Sequence, residues 1–194
     1  VCSSDLAITP GMAEAVAIPP GKLWGLWPSG VRPETMAVAR EIRVWPARDE
    51  TIEVIYIGSM SYERNLGAFC QAVVRAAARG LAIRLTLIGD GTERDDLARL
   101  AAQSKGCIRV LDPVPYREIP ACLGRAHVGV LPFPDAEMFR VSSFIKLFEY
   151  LAAGMPVLAT RIAAHTQVLG DCRCAFWAEH WDAEGLLAGL CQLW

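Results

Sequence analysis

From Thr51 onward, short apolar runs alternate with longer amphipathic stretches, and this alternation limits the possible folds more than any other feature of the sequence. The runs occupy residues 52–57, 83–88, 108–111, 128–131 and 156–159. Each run is apolar on both faces, as strands covered by helices on both sides must be. The stretches between them carry apolar residues at helical spacing. The pattern therefore predicts an α/β fold, with a Rossmann-like parallel sheet and helices on both faces.

The first fifty residues lack the alternation of apolar runs and amphipathic stretches. Residues 7–49 contain six of the twelve prolines and show no sustained period, which predicts a linker and not a packed layer. The opening VCSSDL resembles a translated sequencing adaptor. Because the chain starts without methionine and ends inside a predicted helix over residues 184–193, we expect a fragment. We assign residues 1–50 to an adaptor-derived start and an interdomain linker, and 51–194 to one domain truncated at its C-terminus.

Composition excludes several classes of partner. The formal net charge is -2 and no run of basic residues occurs, which argues against nucleic acid as a partner. No apolar stretch approaches the roughly 18 residues that a membrane span requires. The seven cysteines are odd in number, and most lie in apolar segments, so we expect reduced thiols and a cytoplasmic protein. The spacing of Cys172 and Cys174 does not suit a zinc site, and we expect no metal.

In an open parallel sheet, ligands bind at the carboxyl ends of the strands, so the turns that follow the strands are candidate sites. The first turn begins at Gly58, and Arg64 lies near the start of the next helix, where a guanidinium beside free amides suits a phosphate. The alternative is a solvated Arg64. The second turn, Gly89 to Gly91, lacks the third glycine of a dinucleotide fingerprint and favours a tight turn with Thr92 as helix N-cap.

The segment from Ser142 onward carries the most chemistry. Ser142 and Ser143 can cap a helix whose free amides would hold a diphosphate, with Lys146 one turn further adding positive charge. Glu149 lies six residues beyond Ser143, about 9 Å along the axis at ~1.5 Å per residue, a suitable reach from phosphate to ribose hydroxyls. The alternative is an ordinary surface salt bridge between Lys146 and Glu149.

Five segments, in order, resemble retaining glycosyltransferases of the group 1, or GT4-like, family. They are WPSGVRPE at 27–34, IGSMSYERNL at 57–66, LIGDG at 87–91, RAHVGVLPF at 125–133 and SSFIKLFEYLAAGMPVLAT at 142–160. The last of these is the most specific. The resemblance implies a GT-B fold, in which two Rossmann-like domains face each other across a cleft. This chain would be the C-terminal domain, which holds the nucleotide sugar.

The resemblance also implies roles for individual residues. Arg64 falls where the family usually has a lysine that contacts the donor diphosphate, and Ser59 where it often has an arginine. Glu149 matches the acid that binds ribose. Val141 replaces the first acid of the family's pair, which resembles a subgroup in which a serine-rich turn and a lysine take over donor contacts. The implied donor-binding residues are Gly58, Ser59, Arg64, Ser142, Ser143, Lys146 and Glu149, with further possible contacts at Gly91, Val114 and His165.

The implied reaction transfers a sugar from a nucleoside-diphosphate sugar without an obligatory metal or cofactor, and no residue is nominated as a catalytic base. The acceptor, and any peripheral membrane contact, would belong to the missing N-terminal domain, so the fragment alone would be inactive. Residue patterns alone suggest that His127 is a strand-edge residue and that His165 lies in a surface loop. Two alternatives stay open: a GT-B nucleotide-sugar epimerase and a non-catalytic nucleotide-binding module.

Overall fold

The computed structural model describes residues 5–27 and 29–194. Two strands, β1 (Asp5–Ala7) and β2 (Leu23–Leu26), form a small parallel pair. A second sheet contains β3 (Ile52–Ile57), β4 (Ile83–Ile88), β5 (Ile108–Leu111), β6 (Val128–Leu131), β7 (Val157–Thr160) and β8 (Ala175–Ala178). These six strands are all parallel and lie in the order β5-β4-β3-β6-β7-β8. The adaptor interpretation concerns residues 1–6; of these, residues 1–4, with the predicted thiol of Cys2, fall outside the described residues.

Nine helices accompany the strands in the described part of the chain. They are α1 (Pro10–Ala15), α2 (Ala37–Ile42), α3 (Leu66–Ala78), α4 (Arg94–Gln103), α5 (Ile119–Gly124), α6 (Glu137–Arg140), α7 (Ile145–Ala152), α8 (Ala163–Leu169) and α9 (Ala183–Leu190). Since the chain moves outward from the centre of the sheet in both directions, right-handed crossovers place helices on both faces. None of the described helices is long and apolar enough to cross a bilayer.

The predicted parallel sheet is confirmed. Four of the five predicted strands have the predicted bounds, and the fifth begins at Val157, one residue later than expected. The sixth strand, β8, was not predicted because its four residues, AFWA, follow a polar turn and the first three of them are only partly buried. In the centre of the sheet, Ile52 to Ile57 of β3 pair in register with Ile83 to Ile88 of β4. Gly58 and Gly89, which follow these strands, therefore lie side by side at the carboxyl ends of the strands.

The prediction that residues 7–49 contain no packed layer is wrong for residues 33–42. Met36 and Ala39 have no exposed surface, and α2 packs against α5 so closely that a β-carbon on Gly124 would collide with Ile42. The prolines do not break these elements because they begin them: Pro10 is in the first turn of α1, and Pro33 opens a 3-10 turn before α2. Proline is tolerated there since the first amides of a helix have no partner within it.

The prediction that the cysteines are reduced is wrong for Cys172 and Cys174, which form a disulfide across a single intervening residue. Both cysteines lie in the short connection between α8 and β8, with their Cα atoms 5.2 Å apart. Cys70 is a free thiol, and burial raises its pKa to about 12, so it packs as a small hydrophobic residue. The prediction of a cytoplasmic protein assumed that all seven cysteines are reduced, and this assumption does not hold for the two in the disulfide.

Candidate functional site

The order in which the chain adds strands reverses between the two central strands, β3 and β6, while all strands stay parallel. From β3 the chain moves outward to β4 and β5, whereas β6 leads outward on the other side to β7 and β8. In open parallel sheets, ligands bind at the carboxyl ends of the strands that flank such a switch point. The residues that follow β3, beginning with Gly58, and those that follow β6, beginning with Pro132, therefore border the candidate site.

The turns after β3 and β4 pack backbone against backbone. Gly58, Gly89 and Gly91 have φ angles of 145°, 151° and 152°, a region that side chains rarely adopt. A β-carbon on Gly89 would overlap the carbonyl group of Gly58, and one on Gly91 would lie 2.5 Å from the Met60 carbonyl oxygen. The second turn is thus the tight turn that the sequence favoured, although the N-cap of α4 is Glu93 and not Thr92.

Lys146, in the first turn of α7, reaches across the first glycine turn. A β-carbon on Gly58 would collide with its Cε and Nζ atoms. Its ammonium lies 5.8 Å from the centroid of the Tyr56 ring. Burial lowers the pKa of Lys146, the charge of Arg64 lowers it further, and Glu149 raises it. Because desolvation and a second cation both disfavour the ammonium, this side chain is held where an anion would relieve its charge.

Arg64 lies on the other side of the same space. Its guanidinium carbon is 5.0 Å from the Phe133 ring centroid and 5.4 Å from that of Phe139. Phe133 follows β6 and makes an edge contact with the Tyr56 ring at 6.4 Å between centroids. Tyr56 and Phe133 therefore form an aromatic floor with a cation at each end, Lys146 and Arg64.

Neither cation is neutralised within the described residues. The ion pairs in those ranges include neither Lys146 nor Arg64, and no described side chain hydrogen-bonds to either of them. The alternative of a solvated Arg64 is therefore disfavoured, since its guanidinium is stacked on two rings and only partly exposed. Two unpaired cations over one aromatic floor make an anion site chemically suitable.

Asn65 anchors the turn that carries Arg64. It adopts the left-handed conformation, with φ of 61°, between a 3-10 turn and α3. Its side-chain amide donates to the carbonyl oxygens of Pro132, at 2.9 Å, and Trp181, at 2.6 Å. Arg64 is thus tied to the end of β6. Asn65, Tyr56 and Phe133 were not predicted from sequence; an asparagine directly before a helix was the one available signal.

Glu149 is 5% exposed and lies one turn beyond Lys146 in α7. Burial raises the pKa of its carboxyl group, and the charge of Lys146 opposes that shift. No salt bridge joins the two side chains among those of the described residues. The surface ion pair considered as the alternative from sequence is therefore absent, and Glu149 is a largely buried acid that Lys146 influences without forming a close ion pair.

Ser142 and Ser143 do not cap the helix. α7 begins at Ile145 with Phe144 as its N-cap, and no side chain bonds to its first amides. α6 ends just before Ser142, so the Ser142 hydroxyl donates back to the Met138 carbonyl, at 2.5 Å. Ser143 Oγ accepts from the amide of Ser29 at 3.1 Å, and its carbonyl accepts from the Ser29 hydroxyl at 3.0 Å. The serine turn is thus bonded to the N-terminal segment.

His165 is completely buried in α8, so the surface-loop prediction is wrong. Its Nδ1 lies 2.8 Å from the Thr160 carbonyl oxygen and therefore donates, while Nε2 has no hydrogen-bond partner among residues 5–27 and 29–194. Burial lowers the pKa of His165 to about 4. The rings of Phe133 and Phe144 pack against it, with centroids 5.8 and 5.2 Å away. With no exposed surface, His165 cannot touch a ligand in this conformation.

The remaining residues predicted to contact the donor also lie at the carboxyl ends of the strands. Ser59 and Gly91 are exposed in the turns after β3 and β4, and Val114 is partly exposed after β5. The Ser59 carbonyl accepts from the Tyr56 hydroxyl at 2.8 Å, which fixes the aromatic floor to the turn. His127, at the start of β6, lies at the opposite edge, where its Nδ1 accepts from the Glu53 amide at 2.9 Å.

The strand order and the position of the crevice define an α/β domain of the Rossmann type. The family described as glycosyl transferases group 1 matches residues 51–194. The chain therefore belongs to the group 1 glycosyltransferase family, and its sheet is that of a GT-B Rossmann-like domain.

Known proteins resemble the chain over most of its length. Glycogen synthase of Mycobacterium tuberculosis is 29% identical over 155 residues, which cover 79% of this chain and 33% of that protein. The structure of alpha,alpha-trehalose 6-phosphate synthase from Burkholderia multivorans aligns with a TM-score of 0.71 at 17% identity, over 98% of this chain and 51% of that one. The structure of a TarM variant of S. aureus, in complex with fondaparinux, alpha-GlcNAc-glycerol and UDP, aligns with a TM-score of 0.71 at 12% identity. The alignment covers 98% of this chain and 36% of that one. The chain thus spans a third to a half of the length of these proteins.

Proposed function

We propose that residues 51–194 bind the nucleoside-diphosphate part of a sugar donor. Arg64 and Lys146 would contact the diphosphate, and Glu149 would accept hydrogen bonds from the two ribose hydroxyls. The observation that carries the proposal is the convergence of two unpaired cations on one aromatic floor, with a largely buried acid one turn behind. A diphosphate would supply the negative charge that this crevice lacks.

The same geometry suits the departure of a nucleoside diphosphate. As the bond between sugar and phosphate breaks, negative charge develops on the phosphate oxygen, and preorganised cations lower the energy of that state. Arg64 is fixed by Asn65 and Phe133, and Lys146 by the Gly58 turn, so little reorganisation is needed. Membership of the family supports glycosyl transfer, and the sequence resemblance supports retention of configuration. The UDP in the TarM complex supports a nucleoside diphosphate as ligand.

The parent protein would supply the acceptor site. The chain spans only part of its relatives, so we infer that the acceptor and the groups that orient it lie outside residues 51–194. The fragment would bind donor without transferring its sugar. Hydrolysis or transfer by the isolated chain at the rate of a complete enzyme would contradict this part of the proposal.

Calorimetric titration of the 194-residue chain with UDP, GDP and ADP, and with their glucose conjugates, tests the donor site. We expect at least one nucleoside diphosphate to bind, and K146M to weaken that binding by about tenfold or more, since hydrogen bonds to charged groups contribute about 1.5–3 kcal/mol. K105M is the matched control, because Lys105 lies in the turn before β5, at the opposite edge of the sheet. Folded wild-type protein that binds none of the three at millimolar concentration would overturn the proposal.

A further inference from the structure

Arg43, between α2 and β3, donates to carbonyl groups of three separate segments. Its Nη2 lies 3.0 Å from the Leu123 oxygen at the end of α5, and its Nε 2.8 Å from the Ala126 oxygen just before β6. Its Nη1 lies 2.7 Å from the Ala153 oxygen and 3.2 Å from that of Gly154. One guanidinium thus joins the ends of α5 and α7 to the start of β6.

The carbonyls at the end of α7 have no partner within the helix. The last four carbonyls of any helix are in this position, and cations near them are favoured by the helix dipole. Arg40 donates to the carbonyl of Ala152, the last residue of α7, and the planar, multidentate guanidinium of Arg43 donates to the next two carbonyls, those of Ala153 and Gly154. The Arg43 guanidinium also lies 5.4 Å from the Trp45 ring centroid, and burial lowers its pKa. These contacts fix both the position and the direction of the guanidinium.

The other end of α7 carries the donor site. Ala153 lies seven residues after Lys146, about 10 Å along the axis at ~1.5 Å per residue, so Arg43 does not touch the crevice. Between them, the Tyr150 ring packs on β6 so closely that a β-carbon on Gly129 would overlap it. α7 can therefore tilt or slide only if its C-terminal end leaves the carbonyl contacts that Arg40 and Arg43 make, and Arg43 alone of the two also bonds α5 and the residues before β6.

We propose that Arg43 is a positioning residue for the nucleotide site: it fixes α7 against α5 and β6, and thereby sets where Lys146 and Glu149 meet the diphosphate and ribose. This inference rests on the proposed donor site. It assigns a function to a segment that sequence alone suggested was a linker. A helix held at both ends presents its charged side chains in one geometry, whereas a helix released at one end presents several.

The test compares R43A, R43K and a matched control for nucleotide affinity and for stability. R84A is the control, because Arg84 also bonds a neighbouring segment through Glu53 but lies in the first half of β4, away from the carboxyl edge. The probe is whichever of UDP, GDP and ADP binds the wild-type chain most tightly. We expect R43A to weaken binding by roughly 3- to 30-fold, the range of indirect couplings. R43K keeps the positive charge but lacks the planar, multidentate guanidinium, so its nucleotide affinity should lie between those of R43A and the wild type.

Chemical rescue separates positioning from general destabilisation. Guanidinium ion at about 10 mM, well below denaturing concentration, should restore nucleotide affinity in R43A and leave R84A unchanged. Should R43A not fold, the nucleotide affinity of R43K relative to R84A at matched thermal stability carries the same comparison. Wild-type affinity in a folded R43A or R43K, or equal losses in Arg43 variants and R84A at matched thermal stability, would overturn the inference. A wild-type chain that binds no nucleotide would instead overturn the donor site itself.

Discussion

The side chain of Lys146 passes directly over Gly58, so that a β-carbon at position 58 would lie 2.5 Å from the lysine Nζ. The two residues are 88 positions apart in sequence. They meet because β3 ends and α7 begins at the switch point of the sheet. The missing side chain of the glycine is therefore the space that the lysine occupies. This relationship makes the glycine turn part of the cation site.

Replacing Gly58 with alanine should affect ligand binding through Lys146. The colliding atoms belong to the flexible end of a side chain, so we expect the lysine to move aside, with a further cost of about 1–3 kcal/mol for the backbone conformation. Nucleotide affinity should fall by about tenfold, the share of one charge-assisted hydrogen bond. Titration calorimetry and urea denaturation measure the two effects. An unchanged affinity would show that Lys146 does not contact the ligand.

Gly89 should tolerate alanine far less well. Its added β-carbon would meet the carbonyl group of Gly58, which is backbone and cannot rotate away. We expect a loss of about 3–5 kcal/mol of unfolding free energy, from overpacking and backbone strain together. G80A is the control: Gly80 also has positive φ, 89°, but nothing lies within 4 Å of its β-carbon position. Equal denaturation midpoints for G89A and G80A would contradict the packing described for these turns.

Glu149 should stabilise ligand binding and destabilise the free fold. Burial raises the pKa of its carboxyl group, so the ionised form is less favourable in the folded chain than in the unfolded one. We expect E149Q to match the wild type in unfolding free energy below about pH 4.5, the unshifted value, and to exceed it as pH rises through the raised pKa. Nucleotide affinity should fall by about 10- to 100-fold, because an amide oxygen accepts more weakly than a carboxylate.

Urea denaturation at pH 4 and pH 7.5, with calorimetry at pH 7.5, checks both expectations. E179Q serves as the control, because Glu179 is an exposed acid paired with Arg161 and lies after β8. An E149Q variant that is less stable than wild type at pH 7.5 would show that a partner balances the charge of Glu149 in the free protein.

The parallel sheet was predictable because its strands are buried on both faces and leave a strong apolar signal. β8 lacked that signal since Ala175, Phe176 and Trp177 are only partly covered. The packing of residues 33–42 was hidden by prolines, whose effect depends on whether they begin an element or interrupt it. Sequence spacing placed Lys146 and Glu149 one turn apart, but it could not show that they form no ion pair.

The fate of the two serines illustrates the limit of local patterns. Ser142 and Ser143 have the composition of a helix cap, yet the preceding turn and Ser29, 114 residues away from Ser143, take their hydrogen bonds. Likewise the aromatic floor joins Tyr56 to Phe133, two residues from different strands that are far apart in sequence. Contacts of this range are set by the sheet order. Residue spacing along the chain does not contain them.

His165 should make the folded chain sensitive to acid. Burial lowers its pKa from 6.5 to about 4, so the folded state disfavours the imidazolium relative to the unfolded state. A depressed base contributes stability that is complete above pH 6.5 and is lost as pH falls through about 4. The linkage amounts to at most about 3 kcal/mol. Phenylalanine fits the surrounding rings of Phe133 and Phe144 and cannot titrate.

We therefore expect H165F to lose about 1 kcal/mol at pH 7, because the Thr160 carbonyl loses one of its two donors and keeps the Ile162 amide, and to be the more stable form at pH 4. Urea denaturation of both proteins at intervals between pH 7 and pH 4 measures the difference. Other titrating groups are common to the two chains, so the difference isolates His165. Parallel curves over that interval would mean that the imidazole is protonated equally in the folded and unfolded states, which requires a hydrogen-bond acceptor near Nε2.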